Sequence, residues 1–317
     1  MERKRLGTSD IRVAPLAFGG NVFGWTLNEI KSFEILDAFI AAGFNFIDTA
    51  DVYSRWAPGN AGGESETIIG KWMKERNNRD KVIIATKVGA DLGLGKRDLS
   101  KKHIREAVEN SLKRLQTDYI DLYQSHYDDP GTPVEETLET YAALAKEGKI
   151  RIIGASNFNA ERLRQSLDVS QKNGYPVYQT LQPLYNLYDR EVFEKELEPL
   201  CIKYSIGVIN YYSLASGFLT GKYRSESDLS KSIRGEGNKK YLNERGFTIL
   251  EALDDVAKQY NSNPASIAIA WLLARPSVTA PIASATSLEQ LDSLVKATKL
   301  KLDGSSVSLL NNASDWK

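Results

Sequence analysis

The sequence predicts an α/β chain in which eight strand–helix units close into a (β/α)8 barrel of the TIM type. Three observations predict it. Short apolar runs rich in β-branched and aromatic residues recur eight times, at 13–18, 44–47, 82–86, 120–124, 150–154, 177–181, 207–211 and 279–282. Most lack the alternating polar pattern of a strand with one wet face, as expected for parallel strands covered on both sides. The segments between them carry a helical period. Strand then helix, eight times, argues for a parallel sheet, and a closed barrel is its simplest form at that number. A doubly wound open sheet is the structural alternative. Residues 1–317 are read as one domain, because single barrels reach this length.

The elements are justified in chain order. Residues 3–6 and 10–13 flank Gly7-Thr8-Ser9, which reads as a hairpin ahead of the barrel. The glycine-containing run 58–63 reads as a flexible connection into a helix starting near Glu64. Ser100 suits an N-cap, and Ile104, Ala107, Val108, Ser111, Leu112 and Leu115 then form one helix face. Pro133 suits a first helical turn, and Gly148 ends that helix. Pro264 opens another, running through Ala268 and Trp271 to the break at Pro276. A long loop is expected after strand seven, at 221–246, where periodicity is weak and four glycines fall. It holds seven basic and four acidic residues, a local charge of +3. It reads either as a solvated surface loop or as a lid over an anionic ligand.

Composition excludes several function classes. Lys plus Arg and Asp plus Glu number 41 each, so no global field draws the chain to nucleic acid or an anionic membrane, and neither is expected as a partner. The single cysteine, Cys201, rules out an intramolecular disulfide. It follows a helical stretch, reads as a core thiol, and suits the cytoplasm. The first residues carry charges with no apolar stretch behind them, so no secretory signal is expected. No apolar run reaches the roughly 18 residues of a membrane helix. With two histidines and one cysteine, no metal site is expected.

In such a barrel, chemistry gathers at the C-terminal ends of the strands. Strand two ends at Asp48, with Tyr53 five positions on; strand three runs into Lys87 and strand four into His126. A phenol has a reference pKa of about 10. A nearby ammonium is expected to lower it, with an aspartate keeping the lysine charged and aimed. A histidine then orients or polarises a carbonyl, which makes a proton donor beside a carbonyl. No serine sits in a Gly-x-Ser-x-Gly elbow, so an activated nucleophile is not indicated. Each residue alone has a plainer reading: an N-capping Asp, a solvated Lys, an interior His. The signal is the set, delivered by three successive strands.

These residues resemble the aldo-keto reductases, and the resemblance spans nearly the whole chain. Asp48-Thr49-Ala50-Asp51-Val52-Tyr53 is similar to that family's Asp-Thr-Ala-x-x-Tyr motif, and Lys87 and His126 stand at its catalytic lysine and histidine. The resemblance implies reversible reduction of a small-molecule carbonyl substrate with a nicotinamide cofactor, usually NADPH. In it Tyr53 is the general acid, tuned by Lys87 and Asp48. It also implies a cofactor set. Ser156 and Asn157, in Gly154-Ala155-Ser156-Asn157, and Gln182 would hold the carboxamide, and Tyr211 would stack on the ring. Leu214, Ser216, Gly217 and Lys222 belong to a stretch similar to the pyrophosphate loop, which is not a Walker A motif. Gly20, Asn21, Asp48, Ser284, Thr286 and Gln290 complete the expected cofactor contacts.

The chain departs from the pattern at several positions. Ser213 replaces a proline, Asn210 differs, and Ser293-Leu294 stands where Glu-Asn is common. Thr286 stands where an arginine often meets the 2′-phosphate, so NADPH is expected to be preferred by a reduced margin, with NADH as the other cofactor. Tyr127 follows His126 where tryptophan is common. Trp25, Trp56 and Tyr127 are the expected substrate-pocket residues, with Trp316 a further candidate in the tail. A different class of function is a cofactor-binding regulatory subunit, as in the potassium-channel β-subunits. No long N-terminal extension of the kind such a subunit would use is seen, which favours an enzyme, expected to be monomeric.

Overall fold

The computed structural model describes residues 2–93 and 95–317. Two short strands, β1 (Lys4–Arg5) and β2 (Arg12–Val13), pair antiparallel as the expected hairpin. Eight parallel strands follow: β3 (Ala17–Gly19), β4 (Phe46–Asp48), β5 (Ile83–Val88), β6 (Ile120–Ser125), β7 (Ile150–Ser156), β8 (Tyr178–Gln182), β9 (Gly207–Val208) and β10 (Ile282–Ala283). Their bonded order is β10-β3-β4-β5-β6-β7-β8-β9. The last seam is closed by the segment entering β10. There Thr279 N–H donates to the Val208 carbonyl at 2.8 Å and Ile282 N–H to the Asn210 carbonyl at 2.9 Å. The ring is a (β/α)8 barrel, not an open sheet.

Helices α1 (Glu29–Ala41), α2 (Glu64–Arg76), α3 (Lys101–Leu115), α4 (Val134–Lys146), α5 (Ala160–Asn173) and α6 (Glu198–Tyr204) follow β3 to β8 in turn. After β9 come α7 (Glu244–Gln259) and α8 (Pro264–Leu273), and after β10 come α9 (Leu288–Ala297) and α10 (Gly304–Ala313). Side-chain caps start many of them: Asn28, Ser100, Asn159, Asn243, Asn263, Ser287 and Asp303 each accept a backbone N–H from the first turn. Helix α3 buries the six residues of its expected face.

Two apolar layers hold the barrel. Inside, Ala17, Phe46, Ala85, Leu122, Ile209 and Ala280 meet Leu6, Ile11 and Val13 of the hairpin. The hairpin thus plugs the N-terminal mouth, where Lys4 Nζ donates to the Val278 carbonyl at 3.0 Å. Outside, the strands pack on the helices through large buried groups such as Phe39, Trp72, Tyr141 and Trp271. Each such side chain contributes about 1.5–3 kcal/mol through burial. With the N-terminal mouth closed, the opposite mouth is left for polar groups. Among the described residues no helix is long and apolar enough to cross a membrane.

Several boundaries differ from the sequence reading, each for a physical reason. Strands run on into polar residues such as Asp48, Lys87, Ser125, Ser156 and Gln182, which hydropathy excludes but the ladder includes. β3 starts only at Ala17, because Arg12 and Val13 are drawn into the hairpin. β10 is short and displaced, since Pro281 has no N–H to donate. Cys201 lies within α6, not after it, and is a buried free thiol.

The long loop after strand seven is present, and it is folded. Ala215–Thr220, Glu226–Lys231 and Glu236–Tyr241 form 3-10 turns, and α7 begins at Glu244. Tyr223, Leu229 and Tyr241 are buried there. Short 3-10 turns carry no 3.6-residue period, so the pattern is weak although the segment is folded.

Gly70 marks the closest approach of α2 to α3. A Cβ there would stand 2.2 Å from the Arg114 carbonyl oxygen and 2.8 Å from Leu115 Cα. Alanine favours a helix over glycine by roughly 1 kcal/mol, yet forcing two backbones apart costs roughly 1–3 kcal/mol. Gly70→Ala is therefore expected to lower stability in a urea titration. A variant as stable as the parent would show that the two helices part freely.

Candidate active site

Four barrel strands meet at one buried charge. Lys87, in β5, is fully buried. Its ammonium donates to Asp48 Oδ2 at 2.7 Å, to the Thr49 carbonyl at 2.8 Å and to the Tyr53 hydroxyl at 2.8 Å. Asp48 ends β4, and its other oxygen accepts from Gln182 Nε2 at 2.9 Å and Gln124 Nε2 at 3.3 Å. Tyr53 stands on the loop after β4, and its hydroxyl also donates to Asp48 Oδ2 at 3.2 Å. His126 follows β6, held by a bond from its N–H to the Val88 carbonyl at 2.8 Å. Its ring lies 6.0 Å from that of Tyr53. All four residues expected from the sequence are brought together.

The expected electrostatics needs one correction. The Tyr53 phenol is held well above its usual range, not below it. Burial of the hydroxyl is the main cause, followed by the Asp48 carboxylate that it faces. The adjacent ammonium does not reverse this in the resting site. Burial lowers Lys87, and the Asp48 charge works against that. His126 is held well below the usual imidazole range by burial, then by the charges of Lys87 and Arg97. The resting site thus holds a neutral phenol, a paired ammonium and a neutral imidazole, which together can give a proton and a hydrogen bond to a carbonyl oxygen.

A cleft of about 1390 Å3 opens above these groups. Tyr53 and His126 line it, whereas Asp48 and Lys87 lie beneath its wall. Most of the expected cofactor residues line it too: Asn21, Ser156, Asn157, Gln182, Tyr211, Leu214, Ser216, Gly217, Lys222, Ser284, Thr286 and Gln290. Gly20 and Asp48 are the exceptions, since both are buried behind the wall. The Gly20 carbonyl accepts from Ser65 Oγ at 2.8 Å.

The wall residues hold one another. Asn157, at a positive φ of 55°, accepts the Tyr211 hydroxyl at 2.8 Å and donates to the His126 carbonyl at 2.9 Å. Ser284 Oγ donates to the Gly19 carbonyl at 2.6 Å. Gln290 Oε1 accepts the Thr286 N–H at 2.8 Å, so that side chain braces its own loop.

The comparisons with known proteins agree with this geometry. A model described as "Aldo/keto reductase family" matches residues 15–315. The chain belongs to the aldo/keto reductase family.

It is 36% identical over 98% of its length to a Bacillus subtilis protein named "Uncharacterized oxidoreductase YrpG", covering 95% of that protein. It is 38% identical over 92% of its length to the B. subtilis "Aldo-keto reductase YhdN", covering 85% of that protein. It is also 33% identical over 94% of its length to a "Probable voltage-gated potassium channel subunit beta" of Oryza sativa, covering 91% of it.

In this aldo/keto reductase the aromatic wall differs in part from expectation. Trp56 and Tyr127 line the cleft. Trp25 does not; it stands edge-on behind Trp56, with ring centres 5.6 Å apart. Trp316 lies elsewhere, its Nε1 donating to Glu194 Oε2 at 3.2 Å. Among the wall residues that escaped the sequence reading are Arg97, Tyr212, Ile233 and Arg234. Arg234 stands 4.8 Å over the Trp25 ring. The basic surplus in 221–246 was its only signal; Arg97 had none.

A second, smaller cavity of about 220 Å3 lies behind the motif, lined by Asp51, His103, Glu106, Asn110 and Arg114 among others. Asp51 is buried, and among the described residues neither carboxylate oxygen has a hydrogen-bond partner. Burial, then the charge of Glu66, pushes its carboxyl up to about 8. An unfolded aspartate titrates near 3.9, or about 4. The native state therefore binds this proton more tightly, and its stabilising effect is lost as pH rises from about 4 to about 8. Asp51→Asn removes a slope of up to about 1.4 kcal/mol per pH unit. Chemical denaturation at about pH 5 and about pH 8 should show the variant gaining on the parent at the higher pH. A difference independent of pH would mean that Asp51 is already ionised.

Proposed function

We propose that this protein is an NADPH-dependent carbonyl reductase that turns aldehydes or ketones into alcohols, with Tyr53 as proton donor. The observation that carries this reading is the Lys87 ammonium bonded to both Asp48 and the Tyr53 hydroxyl, directly under the cleft. Bound in the cleft, a reduced nicotinamide supplies the hydride to the carbonyl carbon. The Tyr53 proton moves to the carbonyl oxygen as negative charge builds there, and the phenolate that remains faces the Lys87 ammonium. Asp48 keeps that ammonium charged and aimed. Neutral His126 donates a hydrogen bond to the same oxygen.

The donor set fits the cofactor. Ser156, Asn157 and Gln182 would hold a carboxamide, and Tyr211 offers a ring face beside them. Lys222 and Arg234 line the cleft and, among the described residues, neither pairs with a carboxylate, so both suit phosphate. The protein is expected to act in the cytoplasm, where a lone buried thiol such as Cys201 stays reduced. A regulatory role, suggested by the printed name of the rice relative, is the second reading. Steady turnover of a simple aldehyde separates the two.

Tyr53→Phe keeps the ring and deletes the acid. Reduction of a ketone should slow by roughly 10²–10⁴-fold. Near-normal turnover would remove Tyr53 from its role.

Cofactor choice turns on Thr286, which is neutral where an arginine is common. A missing charge-assisted contact is worth about 1.5–3 kcal/mol, or roughly ten- to hundredfold in affinity. NADPH is still expected to bind more tightly than NADH in a competition followed by tryptophan quenching, and Thr286→Arg should widen the gap. Tighter binding of NADH would refute the preference. A Thr286→Arg variant with an unchanged gap would refute its explanation.

A further inference from the structure

We propose that the cleft is built for carbonyl compounds that also carry an anionic group, and that Arg97 receives that group. The proposal rests on the carbonyl-reductase reading above and names its substrate class. The Arg97 guanidinium lies 4.3 Å over the Tyr127 ring. Tyr127 stacks on His126 with ring centres 4.9 Å apart, and His126 meets Tyr53 edge-on at 6.0 Å. A continuous aromatic wall therefore runs from the proton donor to an exposed cation on the cleft rim.

Among the described residues no carboxylate lies within 4.0 Å of Arg97. The nearby acids are engaged otherwise: Asp98 pairs with Lys96 at 2.9 Å, and Asp91 accepts the backbone N–H groups of Gly93 and Gly95 at 2.7 and 3.0 Å. Its place over the Tyr127 ring holds the guanidinium at the rim, where its N–H donors can meet a planar or tetrahedral anion. The other unpaired arginine on the wall, Arg234, lies 4.8 Å over the Trp25 ring and beside Asn21. With its amide oxygen toward Arg234, Asn21 accepts a bond from it at 3.0 Å. Among the described residues, Arg97 is the arginine that lies over the ring stacked on His126.

A carboxylate and a phosphate ester meet this description equally, so the test carries both. Initial rates are compared for 4-formylbenzoate, 4-formylphenyl phosphate and the neutral methyl 4-formylbenzoate, with parent, Arg97→Leu and Arg97→Lys. The parent should favour at least one anion over the ester by about tenfold in kcat/KM, mainly through KM. Arg97→Leu should erase the preference by raising KM for the anions towards that for the ester, Arg97→Lys should keep part of it, and added salt should shrink it. The favoured anion names the group. Turnover of all three without discrimination, or a preference that survives Arg97→Leu, overturns the inference and leaves the reductase reading standing. No turnover of any of them overturns both.

Discussion

Lys87 carries a positive charge with no access to water, and its three donors are all used inside the barrel. Leaving such a charge unpaired costs several kcal/mol, so Asp48 must be present as its partner. Asp48 is buried in its turn, and its second oxygen needs donors of its own. Gln124 and Gln182 supply them from β6 and β8. One ammonium thereby ties β4, β5, β6 and β8 across the barrel interior. Tyr53 and Gln182 are the network's members on the cleft wall, while Asp48 and Lys87 stay beneath it.

Behind this lattice lies a second charge layer. Glu66 is fully buried and accepts Thr86 Oγ1 at 2.6 Å and Arg114 Nε at 2.6 Å, joining α2 to β5 and α3. The Lys87–Asp48 and Arg114–Glu66 pairs each balance. Asp51 is a further acid with no cation in contact. Burial, then the nearby charge of Glu66, disfavours its ionised form by more than Arg114 and Lys87 favour it, and this is why it keeps its proton. The motif's spacing matters for the same reason: the chain must carry Asp48 inward and Tyr53 to the cleft within one loop.

Much of this was legible in the sequence. Eight apolar runs, the α3 face and the Ser100 cap depend on local pattern, and local pattern survives folding. The reactive set was legible because strand ends converge on one mouth in this architecture. What stayed hidden depends on tertiary placement. The direction of the Tyr53 shift could not be read from its neighbours, because an ammonium and a carboxylate both touch it and burial decides between them. Trp25 and Trp56 are alike in the sequence, and only packing sets one behind the other. Arg97 and Arg234 lie on segments whose path no periodicity describes.

That last contrast reflects how the barrel separates two tasks. The buried Lys87 lattice is set largely by strands, through bonds of 2.7–2.8 Å in a sealed interior. The proposed recognition of substrate falls to loops that reach the rim from outside the ladder. The two meet at the His126–Tyr127 step, where a neutral imidazole facing the cleft is backed by a ring that carries Arg97. The charge of Arg97 also helps to keep that imidazole neutral. An anion drawn to Arg97 would offset this effect, so recognition at the rim is coupled electrically to the group beside the carbonyl oxygen. The coupling is indirect and screened by solvent on the Arg97 side. In the proposed reaction it would give the loop after β5 a means of adjusting the chemistry while the Lys87 lattice stays unchanged.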